Sequence, residues 1–125
     1  MIKSKPYILC ADDDPVNNEL VEIYLEDEYE VQCVCNGQEC LDAVAQRQPD
    51  LILLDVMMPV MGGKETCEYL KNSPDTKHIP IVVLSAQSYE DDIKVMLDLG
   101  VYGYITKPFD SQQLKKVIEG YFRAE

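Results

Sequence analysis

Basic residues are scarce in this chain. Eleven Lys and Arg stand against 23 Asp and Glu, a formal net charge of −12, so no basic face is available for nucleic acid or an anionic membrane. No run of 18 apolar residues occurs, and no membrane-spanning helix is expected. Residues 1–5 carry charge with no apolar h-region behind them, so no secretory leader is expected. Histidine is nearly absent, with His78 alone, and the five cysteines (Cys10, Cys33, Cys35, Cys40 and Cys67) are odd in number and irregularly spaced. Cys33-Val34-Cys35 is not a zinc spacing and has no second pair to complete four ligands. Reduced thiols acting as small apolar residues in a cytoplasmic protein are expected instead. Linkers and low-complexity tracts are also missing, so residues 1–125 are expected to form one domain, with no effector domain expected beside it.

What the chain does have is alternation. Short apolar runs rich in β-branched residues stand at 7–11, 31–35, 51–54, 81–84 and 102–106. Between them apolar residues recur at helical spacing. Val16, Leu20, Ile23 and Tyr24 mark the first such stretch, and Leu41, Val44 and Ala45 mark the second, over 38–46. Three more cover 63–72, 89–99 and 111–122. Asp14-Pro15 reads as an N-cap followed by proline at the first helical position. Asn36-Gly37 reads as a turn closing the second strand, and Gly100 as the end of the fourth helix. Strand-then-helix units in series form a parallel sheet with helices on both faces. The runs at 51–54 and 81–84 are continuously apolar and belong at its centre. The second strand, interrupted by Gln32, belongs at an edge. The expected fold is α/β: a flavodoxin-like, doubly wound five-stranded parallel sheet in the order 2-1-3-4-5, with five helices.

A ligand site in such a sheet lies at the carboxyl ends of the strands, beside the switch point. Strand 1 ends in Asp12-Asp13-Asp14, strand 3 in Asp55, strand 4 in Ser85 and strand 5 in Thr106-Lys107-Pro108. Crowded carboxylates repel one another unless a cation relieves them. Mg²⁺ suits the set, since it binds through one or two carboxylates and keeps waters that a phosphate can replace; soft metals want imidazole or thiolate. Lys107 adds a charge able to pair with a carboxylate or a phosphoryl oxygen, and Ser85 a hydroxyl able to donate to the same group. The pocket suits phosphoryl transfer to a carboxylate, with Asp55 the best-placed nucleophile. Taken singly, Asp14 is an N-cap, Asp55 a turn residue and Lys107 a solvated charge. Their joint placement at four strand ends is what points to chemistry.

Four segments together resemble the receiver domain of two-component response regulators. They are Ile8-Leu9-Cys10-Ala11-Asp12-Asp13-Asp14, Asp50-Leu51-Ile52-Leu53-Leu54-Asp55-Val56-Met57-Met58-Pro59, Ile79-Pro80-Ile81-Val82-Val83-Leu84-Ser85-Ala86 and Gly103-Tyr104-Ile105-Thr106-Lys107-Pro108-Phe109. The resemblance covers essentially the whole chain. It implies that Asp55 accepts a phosphoryl group from the histidine of a sensor kinase or phosphotransfer protein. It implies Mg²⁺ held by Asp13 directly, by Asp12 through water, by Asp55 and by the backbone carbonyl of Met57. Lys107 would contact the phosphoryl group, and its bond to Pro108 would be cis. Ser85 and Tyr104 would be the switch pair that repacks the face of helix 4, strand 5 and helix 5, so as to control a downstream protein target or an attached effector domain. The chain would be a monomer or a phosphorylation-dependent dimer, and would catalyse only its own phosphorylation and dephosphorylation.

Some positions depart from the family pattern. Gly62-Gly63 stands where an Asp-Gly pair is frequent, which would loosen the third helix at its start. Tyr102-Gly103 replaces an acidic pair common in DNA-binding members. Met57 and Gln87, at positions that tune phosphoryl lifetime, supply no acid or base. Two other classes share parts of the pattern. A phosphatase resembling the haloacid dehalogenases needs an acid two residues after its nucleophile, where this chain has Met57. A flavodoxin-type cofactor binder needs a hydroxyl- and glycine-rich first loop, and Asp12-Asp13-Asp14 would repel its phosphate. A receiver that is never phosphorylated typically lacks the acceptor Asp or the Lys, and both are kept here.

Overall fold

Leu51-Ile52-Leu53-Leu54 and Ile81-Val82-Val83-Leu84 offer no polar face to water, and all eight residues are fully buried. They form the middle of a sheet covered on both sides. The computed structural model describes residues 5–86 and 90–124. In chain order the elements are β1 (Tyr7–Ala11), α1 (Pro15–Leu25), β2 (Glu30–Val34), α2 (Gly37–Gln46), β3 (Leu51–Asp55), α3 (Gly63–Asn72), β4 (Ile81–Ala86), α4 (Glu90–Asp98), β5 (Gly103–Lys107) and α5 (Ser111–Ala124). The sheet order is β2-β1-β3-β4-β5 with every pairing parallel, the doubly wound flavodoxin-like arrangement expected from the sequence.

Alternate strand residues feed two cores. Leu9, Ala11, Ile52, Leu54, Ile81 and Val83 pack with Cys40, Val44, Cys67, Leu70 and Met96 from α2, α3 and α4. Ile8, Cys10, Leu51, Leu53, Val82 and Leu84 pack with Val21, Leu25, Leu114 and Ile118 from α1 and α5. Each fully buried aliphatic side chain contributes roughly 1.5–3 kcal/mol of transfer free energy. Cys10, Cys40 and Cys67 are buried among these residues and all five thiols are free. Burial pushes the Cys40 thiol up to about 12 and that of Cys67 up to about 11.

The helix ends carry the signals that the sequence announces. Asp14 caps α1, its Oδ1 accepting from Val16 N at 2.9 Å ahead of Pro15. Gly100 takes φ 100° just beyond α4, a conformation that suits glycine. Asn36 and Glu39 cap α2 reciprocally, with Glu39 N donating to Asn36 Oδ1 and Cys35 N donating to Glu39 Oε1, both at 2.8 Å. Asn36-Gly37 is therefore a helix start rather than a separate turn.

Several expected details shift. In α1 the buried face is Asn18, Val21 and Leu25, while Val16 and Ile23 are 61% and 55% exposed. A polar residue inside the buried repeat displaces the stripe that hydrophobicity alone picks out. In α2 Cys40 is buried and Ala45 exposed. β2 begins one residue before the expected 31, because Glu30 N already donates to Pro6 O at 2.9 Å. β5 starts one residue after 102 and runs to Lys107, in register with Ala86. α5 extends two residues past 122 to Ala124. The expected start of the fourth helix at 89 lies outside the described residues, as does Gln87.

Candidate functional site

The switch point between β1 and β3 is ringed by acids. Asp12 follows the last residue of β1 and has no exposed surface, and Asp55 ends β3 with 6% exposed. Asp13 is exposed beside them, and carboxylate oxygens of Asp12, Asp13 and Asp55 all lie within 4.8 Å of one another. Lys107, the last residue of β5, reaches across to this group. Its Nζ lies 2.8 Å from Asp12 Oδ2 and 3.3 Å from Asp55 Oδ1.

The charges here are only partly balanced. Asp12 Oδ1 accepts from Asp14 N at 2.9 Å, but the buried Oδ2 accepts no hydrogen bond of good geometry despite its ionic contact with Lys107. Burial, with the Asp12 carboxylate adding to it, raises Asp55 to about 7 against the opposing pull of Lys107. Burial would lower the Lys107 ammonium, yet Asp12 and Asp55 outweigh it and hold Lys107 above its ordinary value. A buried, under-bonded carboxylate oxygen within an all-oxygen donor set fits a hard divalent cation.

Ser85 is fully buried on β4, in register with Thr106, and its Oγ donates to Ala86 O at 2.9 Å. Tyr104 is 49% exposed and lines a groove with Ile93, Lys94, Leu97 and Thr106 between α4 and β5. Met57 follows Asp55 by two residues and is 55% exposed. The Lys107–Pro108 peptide bond is cis. Asp12, Asp13, Asp55 and Lys107 are thus brought together, Ser85 and Met57 come from the adjoining strand end and loop, and Tyr104 lies three residues before Lys107 in β5.

Two further residues support the site, Asn18, which motif reading passes over, and Gly63, which it reads only as a weak helix start. Asn18 is 8% exposed, and its Nδ2 donates to Asp12 O at 2.8 Å and Val34 O at 3.4 Å, tying α1 to the ends of β1 and β2. Its one sequence signal is its place in the 18, 21, 25 repeat. Gly63 is buried at the start of α3, and a Cβ there would stand 3.0 Å from Asp55 C and closer still to Asp55 O. Gly62 caps α3 without a side-chain bond. The helix start is nevertheless anchored, since Gly63 N donates to Val56 O at 2.8 Å and Thr66 N and Oγ1 both donate to Gly62 O. The glycine pair leaves α3 without a side-chain cap and also allows its close approach to the end of β3.

A family model, the response regulator receiver domain, matches residues 8–119, and the chain belongs to that family. Response regulator PleD of Caulobacter vibrioides is 42% identical over 108 residues, covering 86% of this chain and 24% of that protein. Sensor histidine kinase GacS of Pseudomonas protegens is 35% identical over 117 residues, 90% of this chain and 13% of that protein. The chain therefore spans a minor part of both relatives. Among solved structures, the receiver domain of sensor histidine kinase PA1611 from Pseudomonas aeruginosa has a TM-score of 0.87 at 26% identity, covering 96% of this chain and 99% of that one. That protein has a magnesium ion coordinated in its active site cleft. This chain is a receiver domain of two-component signalling with a buried acidic cluster.

Proposed function

We propose that this receiver domain is a phosphorylation-controlled switch with Asp55 as its acceptor. A carboxylate oxygen of Asp55 attacks the phosphorus of a phosphohistidine on a sensor kinase or phosphotransfer protein; the P–N bond breaks, a P–O bond forms, and the histidine regains a proton. Asp13, Asp55, the Met57 carbonyl and, through water, Asp12 would hold Mg²⁺. The ion supplies charge neutralisation on the transferring oxygens, most of what such catalysis requires. Lys107 transfers its ion pair from the carboxylates to the new phosphoryl oxygens, and Ser85 Oγ gives up Ala86 O to donate to the same group. The Tyr104 ring then takes up the space beside Ser85, and the face of α4, β5 and α5 changes its fit to a downstream target or an attached effector domain.

The observation that carries this reading is Asp55, buried at a strand end with Lys107 at 3.3 Å and two further carboxylates grouped with it. Met57 stands where a hydrolase of the rival class would need its acid, so the chain modifies itself and turns over no external substrate. Residues 1–125 act as a cytoplasmic receiver unit, a monomer that dimerises at most on phosphorylation, with no membrane or nucleic-acid contact of its own. Borohydride reduction of the phosphorylated chain followed by peptide mapping tests the acceptor. Homoserine at position 55 is expected, and homoserine at 12 or 13 would overturn the assignment.

A further inference from the structure

The loop from β3 to α3 carries Met57 and is built around a tight turn. Met61 N donates to Pro59 O at 2.7 Å, closing a three-residue turn on Val60, which has φ 67° and is 82% exposed. A β-branched residue is sterically disfavoured there and persists where neighbouring bonds over-determine it. Both backbone polar groups of Met61 are engaged, for its carbonyl accepts from Gly37 N at 2.9 Å. Among the described residues this is the one backbone hydrogen bond that ties residues 57–61 to another element. The donor is the first residue of α2, a helix that supplies nothing else to the site.

Glycine is a condition of that contact. A Cβ at position 37 would lie 2.6 Å from Met61 O and 2.9 Å from Met61 Cγ, and closer still to Thr66 Oγ1. The two main obstacles differ in kind. Thr66 Oγ1 is the end of a side chain and can be removed by substitution. Met61 O is backbone, and clears only if the loop itself moves.

We infer that Gly37 is a positioning residue for the cation site: its bare N–H face sets where residues 57–61, and with them the Met57 carbonyl, stand relative to Asp12, Asp13 and Asp55. Because this role depends on the cation site proposed above, the test must separate the two. Mg²⁺ alone is titrated by calorimetry into the full chain, as wild type, Gly37→Ala, Thr66→Ala and Gly37→Ala/Thr66→Ala, with a thermal midpoint for each. Thr66→Ala leaves Gly62 O with the Thr66 N–H as donor, so it costs the loop little by itself. Gly37→Ala is expected to lower both midpoint and affinity. The double variant is expected to recover most of the midpoint of Thr66→Ala while binding Mg²⁺ about ten- to a hundred-fold more weakly than it, the range for loss of an outer support of a metal ligand. A double variant that binds as Thr66→Ala does, or whose loss follows only its unfolded fraction, overturns the positioning role and leaves the cation site standing. A wild type that binds no Mg²⁺ removes the site and the role together.

Discussion

Lys107 and Asp12 meet across two intervening strands. β3 and β4 lie between β1 and β5, yet Lys107 Nζ stands 2.8 Å from Asp12 Oδ2, with 20% of the lysine side chain and none of the aspartate exposed. The ammonium bridges the acidic ends of the sheet, standing 3.3 Å from Asp55 Oδ1 as well.

Truncating Lys107 to Ala should therefore cost more than a surface ion pair would. Removing one partner of a buried pair costs about 3–5 kcal/mol, with protonation of Asp55 offsetting part of it. Urea unfolding of the metal-free variant checks the loss. Saturating Mg²⁺ should recover part of it, since a second cation then screens the same carboxylates.

The raised Asp55 carboxyl has two pH signatures. Its folded value near 7 lies above the ordinary 3.8, so between those values the folded state holds a proton that the unfolded state has lost. Stability of the metal-free chain should fall as pH rises from about 4 through 7, at up to about 1.4 kcal/mol per pH unit from this group. Mg²⁺ binding runs the other way, because the ligand must be deprotonated. Its affinity should strengthen about tenfold per unit below pH 7 and level off above it, as titrations across that range would show.

Asp13 separates binding from stability. It is the exposed member of the acidic group, so Asp13→Ala should shift the thermal midpoint little while abolishing Mg²⁺-dependent phosphorylation by acetyl phosphate. A variant that is still phosphorylated would remove Asp13 from the cation site.

Asn18 should behave in the opposite way. Asn18→Ala deletes the amide that donates to Asp12 O, and although Val34 O keeps the Asp12 N–H as a donor, leaving the buried Asp12 carbonyl unpaired costs about 1–3 kcal/mol. Chemical denaturation reads the loss.

These residues also mark how far the sequence is legible. Strand order and site placement follow from five apolar runs, four of which end in a charged or hydroxyl residue, a pattern strong enough to put Asp12, Asp55, Ser85 and Lys107 at one end of one sheet. The buried face of α1 is hidden because Asn18, a polar residue, occupies its first position and is satisfied there by two strand-end carbonyls. The buried side of α2 is hidden because Cys40 serves as its apolar anchor. The contact of Gly37 with Met61, and of Gly63 with Asp55, leaves no hydrophobic trace at all. Both depend on the absence of a side chain opposite a particular backbone oxygen, which only the assembled chain reveals.

Intact mass after incubation with Mg²⁺ and acetyl phosphate, for wild type and Asp55→Asn side by side, tests the central claim most directly. One phosphoryl group on the wild type, absent from the variant and absent without Mg²⁺, is the predicted result. A wild type that stays unmodified with both acetyl phosphate and a phosphohistidine donor, or an Asp55→Asn chain that is modified as fully as wild type, would contradict it.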